Sequence, residues 1–399
     1  MALEEMTIRQ EDGAKRVVLS VDGEEASECW IIPLTIRVGA ATVRMDGIGG
    51  VETKTEHRLK GYASRVLHRA IEEMSAGDAA ITMLYGIRDF YHRFGYVTAG
   101  PEYGVFLYGV RRDEPLPSGW CVREFSPQHL PDVQKVYEQA TALATGTVVR
   151  TADSRVWQKL LETPGNYPQD ECWVAVSPAG AVGGYAWRAR WCWSVRDILE
   201  REFPDALSWG EVIAITPGAA DALLAHCRRR AAEEGKSEAL LPAPPDSVVA
   251  HAARYTDARL VQHYSANGGS MVRVLNVQRL LQSLEPEWNR LIRLAGRRVA
   301  PCRIVFRTEI GEGALLVDDD GVRSLRAHEQ AEDLPMGEEK VPSYTVHLPQ
   351  GMLARLALGF APAEDLCARL SEPLPEAVVS LFKTLFPVRE QHAYLPDRY

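Results

Sequence analysis

The sequence predicts an α+β, mixed α/β chain in which a mostly antiparallel sheet flanked by helices occurs twice and a smaller α+β domain follows. Three observations lead there. Residues 6 to 52 read as closely spaced β-rich runs with turn residues between them. Helical and strand periodicities then alternate up to residue 109. Beyond the charged, proline-bearing stretch RRDEPLPSG (111–119), a similar order partly restarts.

The expected elements follow in order. Strands are predicted at Met6 to Arg9, Lys15 to Val21, Cys29 to Arg37 and Ala41 to Glu52, with Asp22-Gly23 and Gly39 marking hairpins. A helix over His57 to Ser75 follows from Ala63, Val66, Leu67, Ala70, Ile71 and Met74 at helical spacing. A strand at Ala80 to Tyr85, a short helix at Asp89 to Phe94 and a strand at Gly104 to Gly109 complete the first block. The second block reads as a strand at Cys121 to Phe125, helices near Leu130 to Ala144 and Ser154 to Glu162, and strands at Trp173 to Val176, Ala181 to Arg188 and Gly210 to Ile215. A helix over Ala219 to Glu234 closes it. A helix over Val277 to Ala295 leads to strands at Cys302 to Thr308, Ala314 to Asp318 and Tyr344 to Leu348 and to helices at Pro349 to Leu358 and Glu376 to Leu385.

Composition narrows the class of function. A length of 399 residues exceeds what one compact core accommodates. The net charge of −9, with no basic stretch interleaved with aromatics, argues against a nucleic-acid partner. Seven scattered cysteines without C-x-x-C spacing indicate neither a disulfide framework nor a zinc site, so no metal is expected. The amino-terminal residues lack a signal-peptide pattern and no apolar run reaches spanning length; the chain reads as cytoplasmic, with no membrane role.

The sharpest local signal is VETKTEHRLKGYASRVL (51–67), where a strand gives way to an amphipathic helix around Arg58-Leu59-Lys60-Gly61-Tyr62-Ala63. Amide groups at a helix start are unpaired within the helix and lie at the positive end of its dipole, so they suit a pyrophosphate. Glycine and a small residue permit close approach, and Arg58 and Lys60 add positive charge.

The loop is followed at a fitting distance by ITMLYGIRDFYHRFGY (81–96), and residues 40 to 97 resemble the GNAT acetyltransferase superfamily. The runs RMDGIGGVET (44–53), HRLKGYA (57–63) and DFYHRFGY (89–96) are similar more narrowly to the Eis (enhanced intracellular survival) family. That resemblance implies tandem GNAT-fold domains, the second without a working cofactor loop, and a C-terminal sterol-carrier-like domain. The corresponding boundaries are 1–112, 113–288 and 289–399. In the second block TPGAADALL (216–224) offers no basic residue, and it is expected not to bind CoA.

The resemblance implies an N-acetyltransferase that moves an acetyl group from acetyl-CoA to a primary amine, on a small molecule or a lysine side chain, by direct ternary-complex transfer. An aminoglycoside- or polyamine-like acceptor range and a homo-oligomeric state belong to the same expectation. It places Val51, Glu52 and Thr53 along the pantetheine and carbonyl, Arg58, Leu59, Lys60, Gly61, Tyr62, Ala63 and Ser64 at the pyrophosphate, and Gly86 and Ile87 along the CoA arm. Tyr91 matches the family's general acid, and the α-carboxylate of Tyr399 its general base. A phenol of ordinary pKa about 10 suits proton donation to a thiolate at neutral pH. Asp46 and Glu52 compete as internal bases, Glu52 being the better placed, because a bulge near Gly47 leaves their facing open. His57 and His92 are assigned no role. Between the first two strands stand only about five residues, Gln10 to Ala14, where GNAT domains place two helices, so the acceptor pocket must be built differently. The alternative is a non-catalytic protein that binds CoA or an apolar ligand on the same domains.

Overall fold

A computed structural model describes residues 3–296, 300–318, 320–325 and 341–398. By its contacts the chain forms two compact units, Met1–Gly100 with Ser265–Arg389, and Pro101–Tyr264 with residues 390–398.

The first unit opens with β1 (Glu4–Glu11), β2 (Ala14–Val21), β3 (Glu24–Val38), β4 (Ala41–Thr53), α1 (Tyr62–Ala76), β5 (Ile81–Gly86), a 3-10 turn at Tyr91–Phe94 and β6 (Val97–Thr98). The second unit supplies β7 (Glu102–Leu107), β8 (Cys121–Glu124), α2 (Leu130–Thr141), β9 (Thr145–Val148), α3 (Arg155–Leu161), β10 (Cys172–Val176) and β11 (Val182–Trp187). It continues with α4 (Glu200–Glu202), β12 (Ala206–Ser208), β13 (Glu211–Ala214), α5 (Pro217–Glu233), β14 (Glu238–Leu241), α6 (Val248–Ala253) and β15 (Ala258–His263). The chain then returns to the first unit for β16 (Gly269–Val274), α7 (Val277–Ala295), β17 (Cys302–Thr308), β18 (Gly311–Asp318), β19 (Gly321–Leu325), β20 (Ser343–His347), α8 (Gln350–Ala357), α9 (Ala363–Cys367) and α10 (Glu376–Leu385).

The main sheet of the first unit runs β1-β2-β3-β4-β5-β16-β6, antiparallel except for the β4–β5 pair. Its first two hairpins turn on Asp12-Gly13 and Asp22-Gly23, all four residues at positive φ, which matches the twist of the strands they join. Only Asp12 and Gly13 separate β1 from β2, fewer than the five residues expected, because both strands extend to the turn. Val66, Leu67, Ala70, Ile71 and Met74 form the buried stripe of α1 and pack on Val17, Leu19, Cys29, Ile31 and Ile48 of the sheet. A second sheet, β19-β18-β17-β20, packs with α7. The Glu287 carboxylate of α7 accepts the Ala40 N–H at 2.7 Å and pairs with Arg290 and Arg389, so this buried acid anchors the turn before β4.

One strand expected in the first block belongs to the second unit, and a strand the sequence does not reveal stands in the first. The strand predicted at 104 to 109 pairs with β14 and β15 in the second unit, whereas β16 takes the position beside β5 in the first. A strand's alternation reports that one face is buried and carries nothing about its neighbours. The second unit holds two separate sheets, β13-β11-β10-β8 and β12-β14-β7-β15.

Candidate active site

β4 and β5 pair in parallel only over Met45↔Ile81, Asp46↔Thr82 and Gly47↔Met83. Beyond that point each strand stays bonded to its outer neighbour alone, β4 to β3 and β5 to β16, so a wedge opens between them. The Lys54 N–H bonds to Ala26 O at 3.0 Å, which by alternation directs Glu52 to β3 and the peptide groups of Val51 and Thr53 into the wedge. On the other wall the Leu275 N–H bonds to Ala80 O at 2.9 Å, so Gly86 faces β16 and the peptide of Tyr85 faces the wedge. Nothing in the sequence marks Tyr85; the β5–β16 register alone turns its peptide to the wedge.

The bulge expected near Gly47 lies at Gly50. The register passes from Trp30↔Gly49 to Glu28↔Glu52, which leaves an extra residue on β4. Gly50 sits at φ 54°, and a Cβ there would stand 2.8 Å from the Trp30 ring, so glycine is required on both counts. The shift matters because it turns Val51, half-buried against the α1 core, toward the wedge side and leaves the Glu52 side chain exposed.

The helix expected from His57 begins at Tyr62. Thr55–His57 form a 3-10 turn, and Leu59 (φ 62°) and Gly61 (φ 79°) are left-handed, a conformation an α-helix cannot contain. The result is a loop with Gly61 at the helix cap, no side chain bonded to the first turn and no acidic residue in it. The first helical bond is that from the Arg65 N–H to Gly61 O, so the N–H groups of Tyr62, Ala63 and Ser64 are unpaired within the helix. A Cβ at Gly61 would meet nothing within 4 Å, which means open space over this turn. Arg58 donates to Thr53 O at 3.3 Å at the end of β4, and Lys60 is exposed. The Tyr62 phenol is tied to Glu4 at 3.0 Å on β1, fixing the start of α1 against the sheet edge. Helix start, dipole and nearby cations together form an anion cradle.

Tyr91 stands at the wedge. A Cβ on Gly86 would fall 2.8 Å from the Tyr91 ring and 2.8 Å from Met271 Sδ, so the missing side chain of Gly86 is what makes room for the phenol. Burial, with a smaller contribution from nearby Cys29, pushes the Tyr91 pKa up to about 12. Cys29 lies on β3 across from the bulge. Tyr91 therefore packs beside β5, and its proton is held throughout the neutral range. The segment 89 to 94, expected as a short helix, is a left-handed Asp89 followed by the 3-10 turn, with the Asp89 N–H bonded to Asn267 O at 3.0 Å. Phe94 and Tyr96 are core residues, and the Tyr96 hydroxyl pairs with Thr82 at 3.0 Å.

The remaining candidates divide. Ile87 is exposed just past β5. Asp46 is half-buried at the closed end of the wedge, opposite Thr82; burial first, then neighbouring Asp78, raises its carboxyl to about 6. It lies at the end of β4 remote from α1's first turn, where the Ala80 N–H bonds to Arg44 O. His57 is close to the Tyr62 ring, at 5.9 Å between centroids, and His92 is exposed. The expected base at Tyr399 lies outside the described residues. Among the described residues no group of His, Cys, Asp or Glu could hold a metal ion, and no helix is long and apolar enough to cross a membrane.

Residues 4–99 match the family model of the acetyltransferase (GNAT) domain. This segment is a GNAT acetyltransferase domain. A comparison with curated protein sequences gives no match. Among solved structures, a GCN5-related N-acetyltransferase from Kribbella flavida is 17% identical over 96% of this chain and 87% of its own, with a TM-score of 0.68. One from Anabaena variabilis is 15% identical over 96% and 89%, with a TM-score of 0.69. Eis1 from Mycobacterium abscessus is 16% identical over the full length of both chains, with a TM-score of 0.63. The fold is thus shared along nearly the whole chain, including the tandem GNAT-like arrangement. The helix start of the second unit that corresponds to the cradle, at α5, is built otherwise: the Thr216 hydroxyl accepts the Ala219 N–H at 3.3 Å, and Trp120 lies where a Gly218 Cβ would be, 2.7 Å from its Nε1. Its first turn is capped and covered, where that of the GNAT domain at Gly61 is open.

Proposed function

We propose that this chain transfers an acetyl group from acetyl-CoA to a primary amine on its amino-terminal GNAT domain, by direct attack within a ternary complex. The observation that carries the reading is the β4–β5 wedge, which closes at Gly47 and Met83 and leads at its open end to the uncapped start of α1. Acetyl-CoA would supply the thioester and a polyphosphate tail. The residues present fit that group: Tyr62, Ala63 and Ser64 offer N–H donors and Arg58 and Lys60 charge for the pyrophosphate, with Leu59 and Gly61 shaping the turn. Val51 and Thr53 present peptide groups to an extended amide chain, with Glu52 turned to β3, and Gly86 and Ile87 border the other side. The Val51 N–H is placed to donate to an oxygen that gains charge during acyl transfer. Tyr91, protonated at neutral pH, is the proton donor to the departing thiolate in this reading.

The resemblance assigns the base to the carboxylate of Tyr399, and addition of residues after it tests that assignment. The acceptor is a small-molecule or lysine amine. The two-residue turn at Asp12-Gly13 favours a second reading in which CoA binds without turnover, because no helices stand between β1 and β2 to shape an acceptor pocket. The C-terminal sheet with α8, α9 and α10 is read as sterol-carrier-like; in support, a cavity of about 270 Å³ lies between Cys302, Tyr344, Val378 and Leu381.

Thiol release and acetylated product are measured with a panel of polyamines, aminoglycosides and lysine peptides. Tyr91→Phe is expected to lower kcat roughly 100-fold with KM for acetyl-CoA within about twofold, as removal of a general acid does. Unchanged kcat rejects Tyr91 as the acid. Acetyl-CoA binding with no product from any amine supports the second reading.

A further inference from the structure

The second unit contains a cavity of about 340 Å³ that the acetyl-transfer reading leaves unused. Its floor is Val212 and Ala214 of β13, with Val249 and Tyr394, and Gln139 and Asp246 stand at its rim.

β13 is the edge of its sheet and pairs only with β11. The Ile215 N–H bonds to Gly183 O at 2.9 Å, so in this antiparallel pair Ile213 and Ile215 face β11 and the peptide groups of Val212 and Ala214 face the cavity. Among the described residues neither has a hydrogen-bond partner for those groups, although Val212 is 1% and Ala214 3% exposed. Peptide groups along an unpaired edge can accept a further strand, so this edge offers donors and acceptors at strand spacing. Tyr394, 5% exposed, also lines the cavity.

The charge at the rim selects the occupant. Asp246 lines the cavity, and Glu390, beyond the lining, is near enough to act on it and accepts from the Tyr103 hydroxyl at 2.7 Å; neither is in a salt bridge among the described residues. A nucleotide-tailed chain is disfavoured because the neighbouring start of α5 is capped by Thr216 and covered by Trp120. We propose that this cavity docks an extended basic peptide segment, which adds to β13 as a further strand through the peptide groups of Val212 and Ala214 and places its cationic side chain at Asp246 and Glu390.

The test is fluorescence polarisation of labelled acetyl-(Val-Lys-Val-Lys-Val)-amide with the full chain. The account expects saturable binding, at least tenfold weaker for the Val-Glu-Val-Glu-Val analogue. N-methylation of one alternate set of amides should weaken binding at least tenfold while methylation of the other set leaves it nearly intact, since an edge strand uses only one row of amides. Asp246→Asn should weaken binding about threefold or more. Ala214→Pro removes only the cavity-facing N–H and should weaken it at least fivefold; if that variant does not fold, the methylated peptides decide. Equal binding of the acidic and basic peptides, equal effects of the two methylation sets, or no binding at millimolar peptide overturns the proposal.

Discussion

Arg150 is a buried cation of the second unit, and its replacement by methionine is predicted to be among the most damaging single changes outside the GNAT domain. Its side chain is 1% exposed and meets two carboxylates that are equally buried. Nε and Nη2 donate to Asp397 at 2.9 and 2.8 Å, and Nη1 donates to Glu211 at 3.0 Å with Nη2 on the other oxygen. The guanidinium stacks 3.9 Å from the Tyr137 ring and 4.7 Å from Trp157, while Tyr185 donates to Glu211. This one group therefore joins β13, α2 and the tail 390–398 within the unit. Arg150→Met keeps the stem and leaves two uncompensated carboxylates, for which about 3–5 kcal/mol is expected. At about 2–4 °C per kcal/mol for a unit of this size, the calorimetric transition should fall by roughly 6–20 °C at pH 7.5.

The loss should depend on pH with a defined sign. Burial raises the Asp397 carboxyl above its ordinary value even with Arg150 opposing, so its contribution to stability is complete at low pH and is lost as pH rises through the folded value. Without Arg150 that folded value climbs further, and the deficit at pH 7.5 should exceed the deficit at pH 5. Adding Glu211→Gln and Asp397→Asn to Arg150→Met should restore at least half of the loss, because no buried charge then lacks a partner. A loss under about 1 kcal/mol, or one equal at both pH values, refutes the reasoning.

Three further outcomes follow from the GNAT domain. Gly86→Ala puts a methyl 2.8 Å from the Tyr91 ring and should cost about 1–3 kcal/mol while lowering kcat more than it raises KM; wild-type kcat contradicts the placement of Tyr91. Leu59→Gly relieves a left-handed leucine that is fully exposed, so the melting temperature should hold or rise by about 1–3 °C while KM for acetyl-CoA rises severalfold; a fall of more than about 2 °C argues against the left-handed loop. Asp46, raised to about 6, contributes stability that is complete below the ordinary carboxylate range and lost as pH rises through about 6. Asp46→Asn should therefore gain on the wild type at pH 7.5 relative to pH 4.5, and parallel thermal-melt profiles for the two would contradict it.

What could be read in the sequence was local. The β-branched runs with Asp-Gly turns gave β2 and β4 to within a residue and β3 without its first five residues, and the stripe from Val66 to Met74 gave α1. The loop that leads to the open start of α1 was legible because its residues are contiguous, from Thr53 to Ser64. The backbone detail within it was not: Leu59 carries no mark of its left-handed φ, and of the three glycines in Gly47-Ile48-Gly49-Gly50 only the packing of Trp30 distinguishes Gly50 as the bulge. Elements that depend on distant partners were invisible. The pairing of β7 with β15 and the insertion of β16 beside β5 obey the same alternation as any other pairing, and the Arg150 clamp unites residues 61 and 247 positions apart whose sequence neighbourhoods look ordinary. Likewise the peptide edge at Val212 and Ala214 follows from what β13 does not pair with.

The central claim, that the GNAT domain holds acetyl-CoA in the β4–β5 wedge, is tested most directly by a crystal structure of the chain soaked with acetyl-CoA. The account predicts the pyrophosphate on the N–H groups of Tyr62, Ala63 and Ser64, the pantetheine amides on Val51 and Thr53, and the thioester sulfur within hydrogen-bond reach of the Tyr91 hydroxyl. Acetyl-CoA bound at α5, or a wedge left empty at millimolar acetyl-CoA, would contradict it.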